Sequence, residues 1–263
     1  MSNIYEKDTY LNPYIEYLFN HPIYEYDISD AGLNLTQRYG LLSSDVIEKI
    51  RAMPKNKHAY ELGLIQRKNE VYKKALASAF VNIRREFFEI NKLEDDDVLA
   101  IKKDAIFTLR SVDTTEFENV VFKNKHRYTS YIRINTMEVY YSDRTGVDVK
   151  GINDTTVELH RDYMVKFISD ICDKVEAIGI STALRYAVSF HSSYKWKELD
   201  IGYYREFNAR SAYRINPAML LDYEVAAGIE YYEKDDSLEV ERLDISYNLR
   251  IIEAIVKLLI KLL

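Results

Sequence analysis

The stretch Asp97-Val98-Leu99-Ala100-Ile101-Lys102-Lys103-Asp104-Ala105-Ile106-Phe107-Thr108-Leu109 constrains this chain more than any other. It predicts two short apolar strands joined by a tight turn of Lys102, Lys103 and Asp104. A carboxylate at the tip of a buried hairpin is costly unless something there requires it. A second acid follows a similar apolar run, Ile23-Tyr24-Glu25-Tyr26-Asp27-Ile28. Two carboxylates at the ends of two sheet strands are suited to hold Mg²⁺.

The rest of the chain supplies helices and further strands. Spacing predicts a helix from Pro13 to Phe19, a strand over 23–28, and a helix that starts just after it and ends at Gly40. Ser43-Ser44-Asp45 caps a short helix from Val46 to Met53. One long helix is predicted from about Ala59 to Ile90, with Leu62, Ile65, Tyr72, Leu76, Phe80, Ile83 and Phe87 on its apolar face and Arg67, Lys68, Lys73, Lys74, Arg84 and Arg85 elsewhere. Residues 111–149 read mostly as strand, with a hairpin around Asn135-Thr136. Helical spacing returns over 155–178, and residues 249–263 form an apolar helix with one polar stripe. That stripe leaves a broad face to be covered by the chain's own domain or by a protein partner or second copy. A domain boundary is expected near 151–155.

Much simple chemistry drops out. The histidines at 21, 58, 126, 160 and 191 lack metal-ligand spacing, and no glycine-rich phosphate loop or nucleophile elbow is present. The single cysteine, Cys172, lies among Ile168, Ile171 and Val175 and reads as core, which excludes an internal disulfide and suits a reducing cytoplasm. The Glu94-Asp95-Asp96-Asp97 run reads as a solvated turn. No stretch is long and apolar enough for a membrane span, and no signal core is expected at the N-terminus. The net charge of −6 counts mildly against nucleic-acid binding, although local clustering matters more than the sum.

Five segments in order resemble the palm and thumb of family B DNA polymerases, over roughly residues 23–165. Asp27-Ile28-Ser29-Asp30-Ala31-Gly32-Leu33 is similar to the first palm motif, and Lys74-Ala75-Leu76-Ala77-Ser78-Ala79-Phe80 to the motif on the fingers helix. Lys102-Lys103-Asp104-Ala105 resembles the Asp-Thr-Asp-Ser hairpin, with Asp104 at the second Asp and Lys103 at the first. Lys125 and Tyr128 resemble the strand that grips the primer end. Lys150-Gly151 followed by Arg161-Asp162 resembles the Lys-Gly…Arg-Asp segment entering the thumb.

The resemblance implies an α+β fold. Residues 1–154 would form a palm with an antiparallel sheet and short helical fingers at about 41–92, and 155–263 a mostly helical thumb. It implies a viral or mobile-element nucleotidyltransferase working in a host cytoplasm on primer-template and nucleoside triphosphates. Asp27 and Asp104 would bind Mg²⁺ or Mn²⁺. Lys74, helped by Arg67 or Lys68, would bind the triphosphate, while Lys125 and Tyr128 hold the primer end and Lys150 and Arg161 assist with substrate. Gly32 replaces the tyrosine whose ring excludes the ribose 2′-hydroxyl, which implies a site open to ribonucleotides. A rival expectation is a non-catalytic relative that binds nucleic acid or a replication partner.

Overall fold

A computed structural model describes residues 3–134, 137–144, 146–150, 158–200, 203 and 246–263, the side chains of 158–162, 246 and 247 excepted. The fold is α+β, with two antiparallel sheets. The chain divides into two compact units, one formed by Met1–Ile15 and His21–Tyr128, the other by Glu16–Asn20 and Thr129–Leu263. The boundary expected near 151–155 lies outside the described residues.

In the first unit β1 (Thr9–Leu11), β3 (Ile23–Ile28), β4 (Val98–Lys102), β5 (Ala105–Thr108), β6 (Glu116–Phe117) and β7 (Val120–Tyr128) form a sheet in the order β1-β4-β5-β3-β7-β6. Strand alternation turns Tyr26 and Ile28 toward the helices α1 (Ala31–Arg38), α2 (Ser44–Arg51), α3 (Lys55–Lys68) and α4 (Glu70–Ile90). On α4, Tyr72, Leu76, Phe80, Ile83 and Phe87 recur at threes and fours and are all buried. The Phe87 ring lies 4.3 Å from that of Phe122 and 5.7 Å from that of Tyr26, so helix and sheet share one aromatic core. Burying a phenylalanine stabilises by roughly 2–3 kcal/mol, which makes this contact a principal reason α4 lies on the sheet.

Two elements differ from expectation. The long helix is broken at Asn69, which leaves helical geometry (φ −135°, ψ 96°) and accepts a hydrogen bond from the Tyr72 backbone N–H at 3.0 Å. It ends α3 and caps α4 at once, as asparagine does well. The predicted helix at 13–19 is replaced by a turn and a short strand, β2 (Tyr17–Leu18). Asn12 is buried, and its side chain accepts from the Tyr14 N–H and donates to the Val98 carbonyl, which fixes the turn. A sheet edge then recruits part of the stretch that mimicked a helix, Tyr17 pairing with Ile132 and Leu18 with Tyr131.

The second unit holds a sheet in the order β10-β9-β8-β2, with β8 (Ser130–Ile134), β9 (Met137–Ser142) and β10 (Gly146–Lys150). The helices α5 (Glu158–Ala177), α6 (Ile180–Lys195) and α7 (Ser246–Lys261) complete its described part. Three acids on one side of α5 anchor it. Asp170 accepts from the Tyr186 hydroxyl, Asp173 from Tyr141, and Glu176 from Thr129 and Ser130. Cys172 is buried in the core, and burial pushes its thiol up. On α7, Ile251, Ile252, Ile255 and Leu259 are buried in this same core. These residues of the apolar face are therefore covered by the chain's own unit, the first of the two expected ways of burying it. Among the described residues no helix is long and apolar enough to cross a membrane.

Candidate metal and nucleic-acid site

Strand pairing brings the two predicted aspartates together. β3 runs antiparallel to β5 with Asp27 opposite Ala105, the residue after Asp104. The Ile28 N–H donates to the Asp104 carbonyl at 3.1 Å. Strand spacing then sets the two aspartate Cα atoms roughly 6 Å apart. Both side chains are partly exposed. Burial raises the Asp104 carboxyl above its ordinary range, and the neighbouring Asp27 charge raises it further, while Lys103 and Lys125 oppose the rise. Two adjacent acids of this kind repel until a cation stands near them.

Lysines supply that positive charge. Lys123 pairs directly with Asp27 across β3 and β7, and Lys102 faces Ala105 across β4 and β5. Between these strands the register slips by one residue, so that Glu25 faces His126 and Tyr26 faces Asn124. Lys125 is the extra residue of this bulge, and its Nζ lies 3.3 Å from Asp27 Oδ2. Bulges commonly re-aim a side chain in this way.

The turn carrying Asp104 is held from behind. Lys103 has a positive φ of 54°, unfavourable for a residue with a Cβ. Its N–H donates to the Asp8 carbonyl and its own carbonyl accepts from Arg84 Nη1, both at 2.7 Å. Arg84 is fully buried, and also donates to the Tyr5 carbonyl at 2.7 Å and to Asp8 Oδ1 at 3.1 Å. Burial lowers its pKa, opposed by Asp8 and Asp104. At the other end of the site, Asp30 sits in a left-handed conformation and is bound by His58 Nδ1 at 2.6 Å. That contact anchors the step from β3 into α1 and engages Asp30 away from Asp27.

The remaining predicted residues scatter. Arg67 and Lys68 are exposed at the C-terminal end of α3, and Lys74 is exposed on α4. Lys74 lies six positions before Phe80, the ring beneath Lys103 Nζ, or about 9 Å along the helix axis. Ser78, the matching position of the fingers motif, lines a small cleft with Glu6, Asp8 and Arg85. Tyr128 is 1% exposed and donates its hydroxyl to the buried Glu25 at 2.9 Å, so it is turned inward. Lys150 belongs to the second unit, where its Nζ lies 3.4 Å from Asp148 and over the Tyr140 ring. Arg161 is on α5 with its side chain outside the described residues, as is Gly151. Gly32 packs against α3, and a Cβ there would lie 3.0 Å from Leu62 Cδ1.

Sequence reasoning missed Arg84 as a support of the site and Lys102 and Lys123 as its neighbours. The signal for the lysines was present in their positions beside the turn and opposite the strand. Arg84 looked like one more charge on a basic helix, and only its burial distinguishes it.

Among the described residues no group of three or more His, Cys, Asp or Glu side chains is placed to hold a metal ion. Asp27 and Asp104 still fit Mg²⁺ or Mn²⁺, since Mg²⁺ is commonly held by one or two carboxylates plus water and substrate phosphate.

No curated protein matches this chain. A family model described as Bacteriophage PBS1 gene 130 protein matches residues 1–260, nearly the whole length. The chain therefore belongs to the phage protein family of the bacteriophage PBS1 gene 130 protein.

Proposed function

We propose that this protein is a minimal template-dependent nucleotidyltransferase, polymerase-like or primase-like, that uses Mg²⁺ or Mn²⁺ at Asp27 and Asp104. The observation that carries the reading is the adjacency of Asp27, on β3, and Asp104, in the turn that leads into the antiparallel β5. The resemblance of the ordered motifs to family B polymerases supports it, and membership of a phage family suits it. When bound, divalent metal at such a site activates the attacking oxygen and stabilises the leaving one.

The chain's own groups would divide the remaining work. Asp27 and Asp104 hold the cation charge in place. Lys102, Lys123 and Lys125 surround them with positive charge that attracts phosphate regardless of base sequence. Arg84 and Asp8 fix the turn so that Asp104 keeps its position as substrates enter. Lys74, Arg67 and Lys68 offer an exposed basic surface on the helices for the triphosphate. Tyr128 enters this scheme as a support for β7, and the primer end is assigned to Lys125. Leu62 crowds the place a gate would take at Gly32, so its absence answers a packing need as well as leaving room for a 2′-hydroxyl.

The test is primer extension with deoxynucleoside triphosphates and then ribonucleoside triphosphates, comparing the wild type with Asp104→Ala. Incorporation by the wild type alone is expected. Equal incorporation by both, or none by either, removes the reading.

A second reading is a non-catalytic relative that binds nucleic acid. The lysine at position 103, where the resembling hairpin has an acid, favours it. Its expectation is that Mg²⁺ and Mn²⁺ leave the melting temperature unchanged. An Asp27-dependent rise excludes it.

A further inference from the structure

Lys125 Nζ stands 3.3 Å from Asp27 Oδ2, where a cation shared with Asp104 would also be drawn. We propose that Lys125 is a displaceable substitute for the divalent cation, which on metal entry turns from Asp27 to a phosphate of the bound nucleic-acid strand. Metal binding and strand binding are thereby coupled. This rests on the reading that Asp27 and Asp104 take a metal.

Three observations carry the idea. First, the lysine is placed by a bulge, as the extra residue of β7, so the contact is built into the strand. Second, the pair is not locked: the Lys125 side chain is 51% exposed and that of Asp27 28%. The ammonium on its four-carbon stem can swing outward without disturbing the strand. Third, one ammonium cannot neutralise two carboxylates. A divalent ion satisfies both acids and repels the ammonium. With Lys123 two positions earlier on the same strand, the displaced charge adds to a positive potential along β7 that suits the phosphate backbone of a strand.

Partly exposed pairs of this kind contribute little, so the coupling is modest, about two- to five-fold in either affinity. The experiment uses the whole chain in two measurements. Mn²⁺ affinity is read from loss of the free-ion electron paramagnetic resonance signal, and binding of a fluorescent single-stranded oligodeoxynucleotide from anisotropy with and without Mn²⁺. Wild type, Lys125→Met, Lys123→Met and Asp27→Asn are compared. Lys125→Met is expected to bind Mn²⁺ about two- to five-fold tighter than wild type and to lose the Mn²⁺-dependent gain in strand affinity. Lys123→Met is expected to weaken strand binding with and without Mn²⁺ alike, keeping the gain. If Asp27→Asn loses Mn²⁺ while Lys125→Met binds it no tighter than wild type, or keeps the gain, the substitution idea is overturned and the metal reading survives. If Mn²⁺ binds wild type and Asp27→Asn equally, or neither, the metal reading fails and this inference with it.

Discussion

Arg84 on α4 donates from Nη1 to the Lys103 carbonyl at 2.7 Å, and so ties a helix to the turn that carries Asp104. The same guanidinium reaches the Tyr5 carbonyl and Asp8, so three separate segments meet on one buried cation.

Replacing that cation leaves two carbonyls without their donor. Arg84→Met is expected to destabilise the chain by about 3 kcal/mol in urea unfolding. Asp8→Asn, at the exposed end of the same pair, is expected to cost less than about 1 kcal/mol. Similar costs for the two variants would show that Arg84 acts mainly through its ion pair.

Asp104 gives a prediction with a definite sign. Burial and Asp27 raise its folded pKa above the ordinary value, so its ionised form disfavours the folded state. That cost is complete above the folded pKa and disappears as pH falls through it toward the ordinary carboxylate range. Asp104→Asn should therefore melt higher than wild type at pH 7, with the gap closing on acidification. Added Mg²⁺ should raise the wild type and not the variant. Thermal melts across pH, with and without Mg²⁺, measure both effects.

Gly32 tests whether packing or chemistry sets the residue there. Gly32→Tyr, which restores the residue of the resembling motif, is expected to destabilise by about 3 kcal/mol, because even a Cβ meets Leu62 at 3.0 Å. Gly32→Ala gains roughly 1 kcal/mol of helix propensity against a crowding cost of similar size, so its urea midpoint should move little. A tolerated tyrosine would show that α1 and α3 separate easily.

Tyr128→Phe removes the hydroxyl given to the buried Glu25. A loss of about 1–3 kcal/mol is expected in urea unfolding, with oligonucleotide binding retained. Loss of binding without loss of stability would restore Tyr128 to the nucleic-acid surface.

The parts legible in the sequence were those with a strong local signature. The hairpin at 98–108 and the apolar faces of α4 and α7 followed from alternation and helical spacing, and the α+β class was an expectation from the ordered motifs. The adjacency of Asp27 and Asp104 needed strand pairing, which periodicity does not reveal, and the ordered motifs supplied it as an expectation. The break at Asn69 was written as a capping residue before Glu70, and continuous helical spacing on both sides concealed it. Residues 13–19 carried a helical pattern, yet a turn and a sheet edge had stronger claims on them. The inward turn of Tyr128 and the burial of Arg84 depend on partners about 80–100 residues away, beyond any local pattern.

The slip between β3 and β7 also changes the phase of a strand. Before it Val120 and Phe122, both even-numbered, point into the core beneath α4; after it the even-numbered Tyr128 lies on the other face with Glu25. A version of β7 shortened by one residue at this point would have to give up either Phe122 in the core or Tyr128 on Glu25. The extra residue thus acts as a phase counter, and the position of Lys125 beside Asp27 is protected by two hydrophobic and polar contacts that have no part in its chemistry.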